Sequence, residues 1–385
     1  MKKYKVEGRD FINICLLSLI FLLLLSNIFA SQLEYLLFLK PKITNSTCTQ
    51  VHFVDVGQGD AIVVKFPNEK VMLIDSGTKE YRKKLTYYLD NVVLKNKKVI
   101  DYVVLTHPDV DHSGNISYII SNYKIGKFFR PNIYEKYENA EPFCENETYR
   151  QIIQSLMKYN VETEFLGEKE WFEGEAKINF LSTLEYFSDL NTISTNDFSP
   201  TIIIEENNSK IMLNGDISDT IEEQLIDKYS ADLLDVDILK LAHHGSKYSS
   251  SEEFLEVTSP KFIVASCGIN TYGHPANDTL KRLLDYDETH NSTLFKNFST
   301  TKDSGNIIYT LDENIQVDTI KNVDDYNFAS YFVYSSIAIV YLLFVIALPY
   351  LKVWKLNRRY IIQNREFEKM KQQEKLYPST KNTQK

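Results

Sequence analysis

The feature that most constrains this chain is the run His107-Pro108-Asp109-Val110-Asp111-His112, which follows directly on the apolar stretch 100–105. Four groups that are costly to bury stand at the end of a segment that reads as a buried strand. Such a cluster is hard to explain as a chance surface loop. Imidazole and carboxylate together form a ligand set suited to Zn²⁺, Mn²⁺ or Fe²⁺. Compact spacing in a turn lets His107 and Asp109 face one ion while Asp111 and His112 face another. The run therefore predicts a metal centre on a loop held by a rigid sheet.

Further candidates follow other predicted strand ends. Asp216, in Asn214-Gly215-Asp216, offers a carboxylate with lone pairs on both oxygens, able to bridge two cations. His243-His244-Gly245-Ser246 follows the apolar segment 236–241. Adjacent side chains on an extended chain point to opposite faces. His243, at the strand end, is read as the ligand, with His244 and Ser246 as supporting or substrate contacts. His274, in Tyr272-Gly273-His274-Pro275, is placed to protonate a leaving group or bind a phosphoryl oxygen. Asp55 and Asp60, together with Asp75, close two early strands, where carboxylates orient metal-bound imidazoles. Turn or helix-cap roles are the alternative for these three.

The organisation of the chain comes from two charge-free apolar runs, 11–30 and 329–351, each near the 20 or so residues needed to span a bilayer. Lys2, Lys3, Lys5 and Arg9 precede the first, and Lys352, Lys355, Arg358 and Arg359 follow the second. The positive-inside rule then puts both termini, 1–10 and 352–385, in the cytoplasm and the domain between the two runs outside it. A cleaved signal peptide is the alternative for the first run, and a buried core helix for the second. Between them lie a linker, 31–49, and a domain of residues 50–315. The net charge of -9 argues against holding nucleic acid by charge alone. No CxxC spacing suggests a structural zinc module, although Cys48 and Cys144 could pair in an oxidising compartment.

Within that domain, segments 51–56, 61–66 and 70–74 read as strands separated by Gly, Pro and Asn turns. Residues 79–94 carry helical spacing. Segments 201–205 and 210–214 read as a hairpin about Asn207-Asn208. Asp219 and Glu222 suggest a capping box for a helix ending near Tyr229. Residues 134–147 are acidic and loop-like. No Gly-rich phosphate loop or nucleophile elbow is present. The order predicts a mixed α/β sandwich rather than a Rossmann arrangement.

The segments HFVDVGQGDA (52–61), LIDSG (73–77), LTHPDVDHSGN (105–115), NDFSPTIII (196–204), LNGD (213–216), LAHHGS (241–246) and YGHP (272–275) resemble, in order, the metallo-β-lactamase superfamily. They look most like the hydrolase domain of the DNA-internalisation competence proteins of ComEC type. The resemblance covers about residues 50–312. It implies an αββα sandwich with an edge site for two divalent ions, Zn²⁺ or Mn²⁺. It also implies that His107, Asp109, Asp111, His112, Asp216 and His243 or His244 are ligands. Asn196 and Ser199 would line the site and His274 would meet substrate. Asp109 stands where the superfamily usually has histidine, and no histidine lies near Asn196. That departure favours a harder ion at the first position. The competence proteins also carry a many-helix channel, and only their hydrolase part is expected to carry over to a chain with two single anchors.

These expectations converge on a membrane-anchored hydrolase acting on phosphodiesters, nucleic acid among them, with Asp111 able to take a proton from the attacking water. Other esters near a bilayer (a lipid headgroup, lactone or thioester) are the rival substrates. A non-catalytic receptor or adhesion module is the rival class. The sequence implies no obligate protein partner.

Overall fold

A computed structural model describes residues 16–17, 20–21, 47–95, 97–131, 133, 147–186, 194–320 and 325–376. Lys40–Asn322 form one compact unit, and the terminal stretches belong to a separate one. Fifteen strands lie among the described residues. The first six are β1 (Gln50–Phe53), β2 (Ile62–Lys65), β3 (Val71–Ile74), β4 (Val99–Val104), β5 (Lys124–Arg130) and β6 (Thr163–Phe165). They are followed by β7 (Lys169–Glu173), β8 (Ala176–Leu181), β9 (Thr201–Glu206), β10 (Ser209–Leu213), β11 (Ile238–Lys240), β12 (Phe262–Ala265) and β13 (Phe298–Thr300). Two more, β14 (Asn306–Thr310) and β15 (Gln316–Ile320), complete the set.

One sheet runs β15-β14-β1-β2-β3-β4-β5-β6 and the other β13-β12-β11-β10-β9-β8-β7. Each is half antiparallel meander and half parallel: β3 to β6 in the first sheet, β10 to β13 in the second. Side chains alternate across a strand, so one set faces the partner sheet and the next faces helices. Val51, Phe53, Val64, Ile74, Ile178, Phe180, Ile204 and Ile211 fill the layer between the sheets. Ile203, Met212, Leu239 and Ile263, one residue out of phase, pack on the outer side with Ile221, Leu225, Phe254 and Leu283. Strands buried on both faces read as continuous apolar runs, as β3 does (Val71-Met72-Leu73-Ile74). The result is the mixed α/β sandwich the sequence predicts.

Local expectations fare unevenly. The hairpin forms as expected, with Asn207 and Asn208 both at positive φ, 51° and 61°, joining β9 to β10. Asparagine tolerates that region where most residues do not. The helical stretch 79–94 forms in three pieces: a tight turn at Lys79–Tyr81, an α-helix at Arg82–Tyr88 and a wider turn at Leu89–Val93. The capping box is absent. The helix begins at Asp219 with Ser218 before it, one residue out of register for the box. Glu222 therefore points inward and accepts the amides of Ser250 (2.5 Å) and Ser251 (2.9 Å).

Most of the first apolar run, the acidic segment 134–146 and Cys144 lie outside the described residues. The second apolar run falls within a helix, Asp325–Leu376, and many of its side chains are likewise outside them. Among the described residues, no helix is long and apolar enough to cross a membrane.

Candidate metal centre

The parallel halves of both sheets deliver the site, because their strands end on one edge. β3 leads into Asp75, β4 into His107–His112, β10 into Asp216, β11 into His243-His244 and β12 into Ser266. Asp75 sits at φ 58° and is fully buried. It accepts the Thr106 amide at 2.9 Å and the Thr106 hydroxyl at 2.7 Å. The Nδ1 of His112 lies 2.7 Å from the Oδ2 of the same carboxylate. One side chain thus ties the end of β4 to the imidazole six residues on.

The same logic fixes the other rings. The Thr106 hydroxyl donates its one hydrogen to Asp75 and so accepts from His107 Nδ1, 3.0 Å away, beside Ser199 Oγ at 3.2 Å. His244 Nδ1 donates to the Ser266 carbonyl at 2.8 Å. With each Nδ1 engaged, Nε2 is the nitrogen that His107, His112 and His244 leave open. All three Nε2 atoms are buried and make no hydrogen bond, nor does Asp216 Oδ1. Buried polar atoms without partners are rare and point to a missing ligand, an ion or water. His112 Nε2 lies 3.2 Å from Asp216 Oδ2, and His244 Nε2 lies 3.4 Å from the same oxygen and 3.3 Å from Asp111 Oδ2. The His107 and His112 rings are 4.1 Å apart. Imidazoles with Nδ1 anchored and Nε2 free, converging on a carboxylate, fit a divalent cation.

The charges agree. Burial opposes the charged forms of His112 and His244. For His112, Asp216 and Asp75 outweigh it; for His244, Asp216 and Asp111 do. Both rings are thereby raised above the ordinary histidine range. Burial likewise opposes the Asp216 carboxylate, but His112 and His244 hold it well below the usual range. A cation bound here would replace the Nε2 protons, which is the usual coupling of metal binding to proton release. His107 is driven the other way, first by burial and then by His112, and stays neutral.

Asp60 also brings an oxygen into a group with His112, Asp216 and His244, whose ligand atoms lie within 4.8 Å of one another. It approaches from the opposite side. Its oxygens face the Nδ1 atoms, 3.6 Å from His244 and 3.9 Å from His112. Its Oδ2 is engaged by Lys240 Nζ at 2.8 Å. The inward-facing set is therefore Asp111, His112, Asp216 and His244.

Between the adjacent histidines the geometry reverses the preference for His243. The backbone at both is left-handed, φ 50° and 56°, rather than extended. His243 is 36% exposed at its side chain and stands 3.8 Å from Asp216, whereas His244 is 2% exposed. His243 faces the mouth with His274, their rings 5.4 Å apart. His274 stacks on Tyr272, and its Nδ1 has no hydrogen-bond partner.

Asp109 precedes the turn Val110–Ser113 and is partly buried, with its carboxyl raised by burial and by Asp111. Ser199 reaches both His107 and the Asp216 amide. The backbone of Asn196 bonds locally, its amide donating to Ser194 Oγ and its carbonyl accepting the Ser199 amide. Asp55 lies in a turn, accepting the Gly57 amide and pairing with Lys84 at 3.3 Å. Ser246 accepts the Tyr248 amide at 3.3 Å and shapes the turn after His244. Gly59 has no room for a side chain: a Cβ there would meet the Asp111 carbonyl at 2.2 Å. Two residues of the site are not apparent from sequence motifs. Lys240 stands out only as a lysine inside an otherwise apolar strand. Asn270, whose side chain bonds Gly268, Gly273 and His274, carries no such signal.

The pattern of the metallo-beta-lactamase superfamily matches residues 54–268, more than half of the chain, and the chain belongs to that superfamily. Among curated proteins it is similar to ComE operon protein 3 of Bacillus subtilis, 26% identical over 265 residues, covering 65% of this chain and 32% of that one. It is also similar to the competence protein ComA of Neisseria gonorrhoeae, 28% identical over 234 residues, covering 60% and 28%. Recombination protein 2 of Haemophilus influenzae is 27% identical over 241 residues, covering 62% and 26%. These relatives support the competence-protein type of the fold, and the chain spans about a third or less of their length. Among solved structures, a metallo hydrolase from Ignicoccus hospitalis aligns with TM-score 0.41 and 17% identity, covering 67% of this chain and 98% of that one. A diphosphatase of the PhnP family aligns with TM-score 0.38 and 14% identity, covering 68% and 98%.

Proposed function

We propose that this chain is a membrane-anchored, metal-dependent phosphodiesterase whose ions would be held by Asp111, His112, Asp216 and His244. The observation that carries this reading is the approach of two buried Nε2 atoms, His112 at 3.2 Å and His244 at 3.4 Å, to one Asp216 oxygen, neither of them in a hydrogen bond. His107 and Asp109 would complete a second position, with Zn²⁺ or Mn²⁺ as the ions. A divalent cation there supplies Lewis-acid polarisation of a phosphoryl oxygen and acidifies water at the site. The chain's own residues do the rest. Asp111, partly exposed and kept ionised by its contact with His244 against the cost of burial, takes a proton from an attacking water. His274 is held neutral by burial and by the neighbouring His243 and His244. Its Nδ1, free of internal bonds, meets a substrate oxygen at the mouth.

Phosphodiesters are favoured over other esters because relatives of this chain are named for competence and recombination. The apolar runs 11–30 and 329–351 with their basic flanks support anchoring by two helices, termini in the cytoplasm and the domain of residues 50–315 outside it. The test is hydrolysis of bis-p-nitrophenyl phosphate, then DNA, with Mn²⁺ or Zn²⁺, by the full chain and by His112→Ala. Loss of more than about 100-fold in the variant is expected, since the ion carries the chemistry. Equal activity in the two proteins would refute the assignment. Activity only on carboxylic esters or lactones would move the substrate to the rival class.

A further inference from the structure

Lys240 is fully buried at the end of β11, in a strand whose other residues are apolar. A buried ammonium needs its charge paired and its three protons accepted. Lys240 Nζ meets both conditions. It lies 2.8 Å from Asp60 Oδ2 and 3.2 Å from each of the carbonyls of Gly215 and Leu241. Those three acceptors belong to three different parts of the site. Asp60 ends the glycine loop that packs on Asp111, its amide donating to the Asp111 carbonyl at 3.1 Å. Gly215 adjoins Asp216, and its carbonyl also takes the His243 amide at 3.1 Å. Leu241 opens the turn that carries His244.

We propose that Lys240 is a positioning residue: an internal counter-ion that pairs with Asp60 and joins the Asp60 loop, the Asp216 turn and the His244 turn into a preassembled cradle. The cluster holds buried carboxylates at Asp60, Asp75 and Asp216, which repel one another. A fixed cation behind the imidazoles lets them stay together. It also keeps Asp60 on the Nδ1 side, leaving the Nε2 face to the ion. The cradle part of this inference rests on the metal-centre reading; the pairing of Lys240 with Asp60 does not.

A double-mutant cycle separates the two. Full-length wild type, Lys240→Met, Asp60→Asn and the double variant are melted in EDTA, then titrated with Co²⁺ while the visible absorption is followed. Breaking one side of a buried pair is far more damaging than removing both, so Lys240→Met should lower Tm by about 10 °C. The double variant should recover at least half of that loss. In the Co²⁺ titration, Lys240→Met should weaken apparent affinity by about tenfold, as loss of a supporting contact does. The double variant should regain part of it, a rescue that a merely space-filling lysine would not show. A Lys240→Met protein that fails to fold, while the double variant folds, supports the pairing equally well. Additive losses, or failure of both to fold, would overturn it. Wild type that binds no Co²⁺ would sink the metal-centre reading and the cradle with it, while the melting cycle still decides the pair.

Discussion

Asp75 decides which nitrogen of His112 is available to a cation. By accepting the Nδ1–H of His112 at 2.7 Å and two bonds from Thr106, it fixes ring orientation from behind. Removing the carboxylate's charge while keeping its shape should loosen that hold. Asp75→Asn is expected to weaken metal affinity about 10- to 100-fold with the fold retained, measured by competition with a chromogenic chelator. An unchanged affinity would mean that the ring is held by packing alone. At this scale the sequence was informative about which residue types gather, because imidazoles and carboxylates crowded at buried strand ends are costly without an ion or a partner. It was poor at orientation. Adjacent His243 and His244 look alike in a sequence, and the extended geometry assumed for them gives way to two left-handed residues. Asp55 and Asp60 likewise share one motif, yet one closes a turn with Lys84 and the other sits behind the imidazoles.

Among the elements, the loop after His244 is held from two sides, by Glu222 and by Arg282. Glu222, on the helix Asp219–Lys228, accepts the amides of Ser250 and Ser251. Arg282 donates to the carbonyls of Ser249 and Ser250. Burial raises the Glu222 carboxyl from 4.5 to about 7, against the pull of those amides. The folded chain therefore keeps a proton that the unfolded chain has already released between those two pH values. Stability must fall as pH rises through that window and level off above it, by on the order of 3 kcal/mol from this group. Glu222→Gln should flatten that part of the Tm-versus-pH curve, read as the difference from wild type. A difference that does not change with pH would show that Glu222 is ionised throughout. The hairpin at Asn207-Asn208 was legible because its turn chemistry is local. The capping box failed because a one-residue shift in helix start turns Glu222 from a cap into a buried anchor, and burial is not local.

For the whole molecule, strand alternation and the sequence order of the motifs foretold a two-layer sandwich, since each strand needs one face against a core. The order of strands within the sheets depends on long-range pairing such as β1 with β14, which no local pattern records. The two apolar runs make the reading of a membrane anchor testable. The full chain should sediment with membranes, stay there through high salt and carbonate, and be released by detergent; release by salt alone would contradict anchoring. The central claim is that the inward-facing set includes His244 and not His243. Metal content of the purified full chain, measured by mass spectrometry for wild type, His243→Ala and His244→Ala, tests it most directly. Bound transition metal is expected in wild type and His243→Ala, and its loss in His244→Ala. Folded wild type without metal, or loss in His243→Ala with retention in His244→Ala, would contradict it.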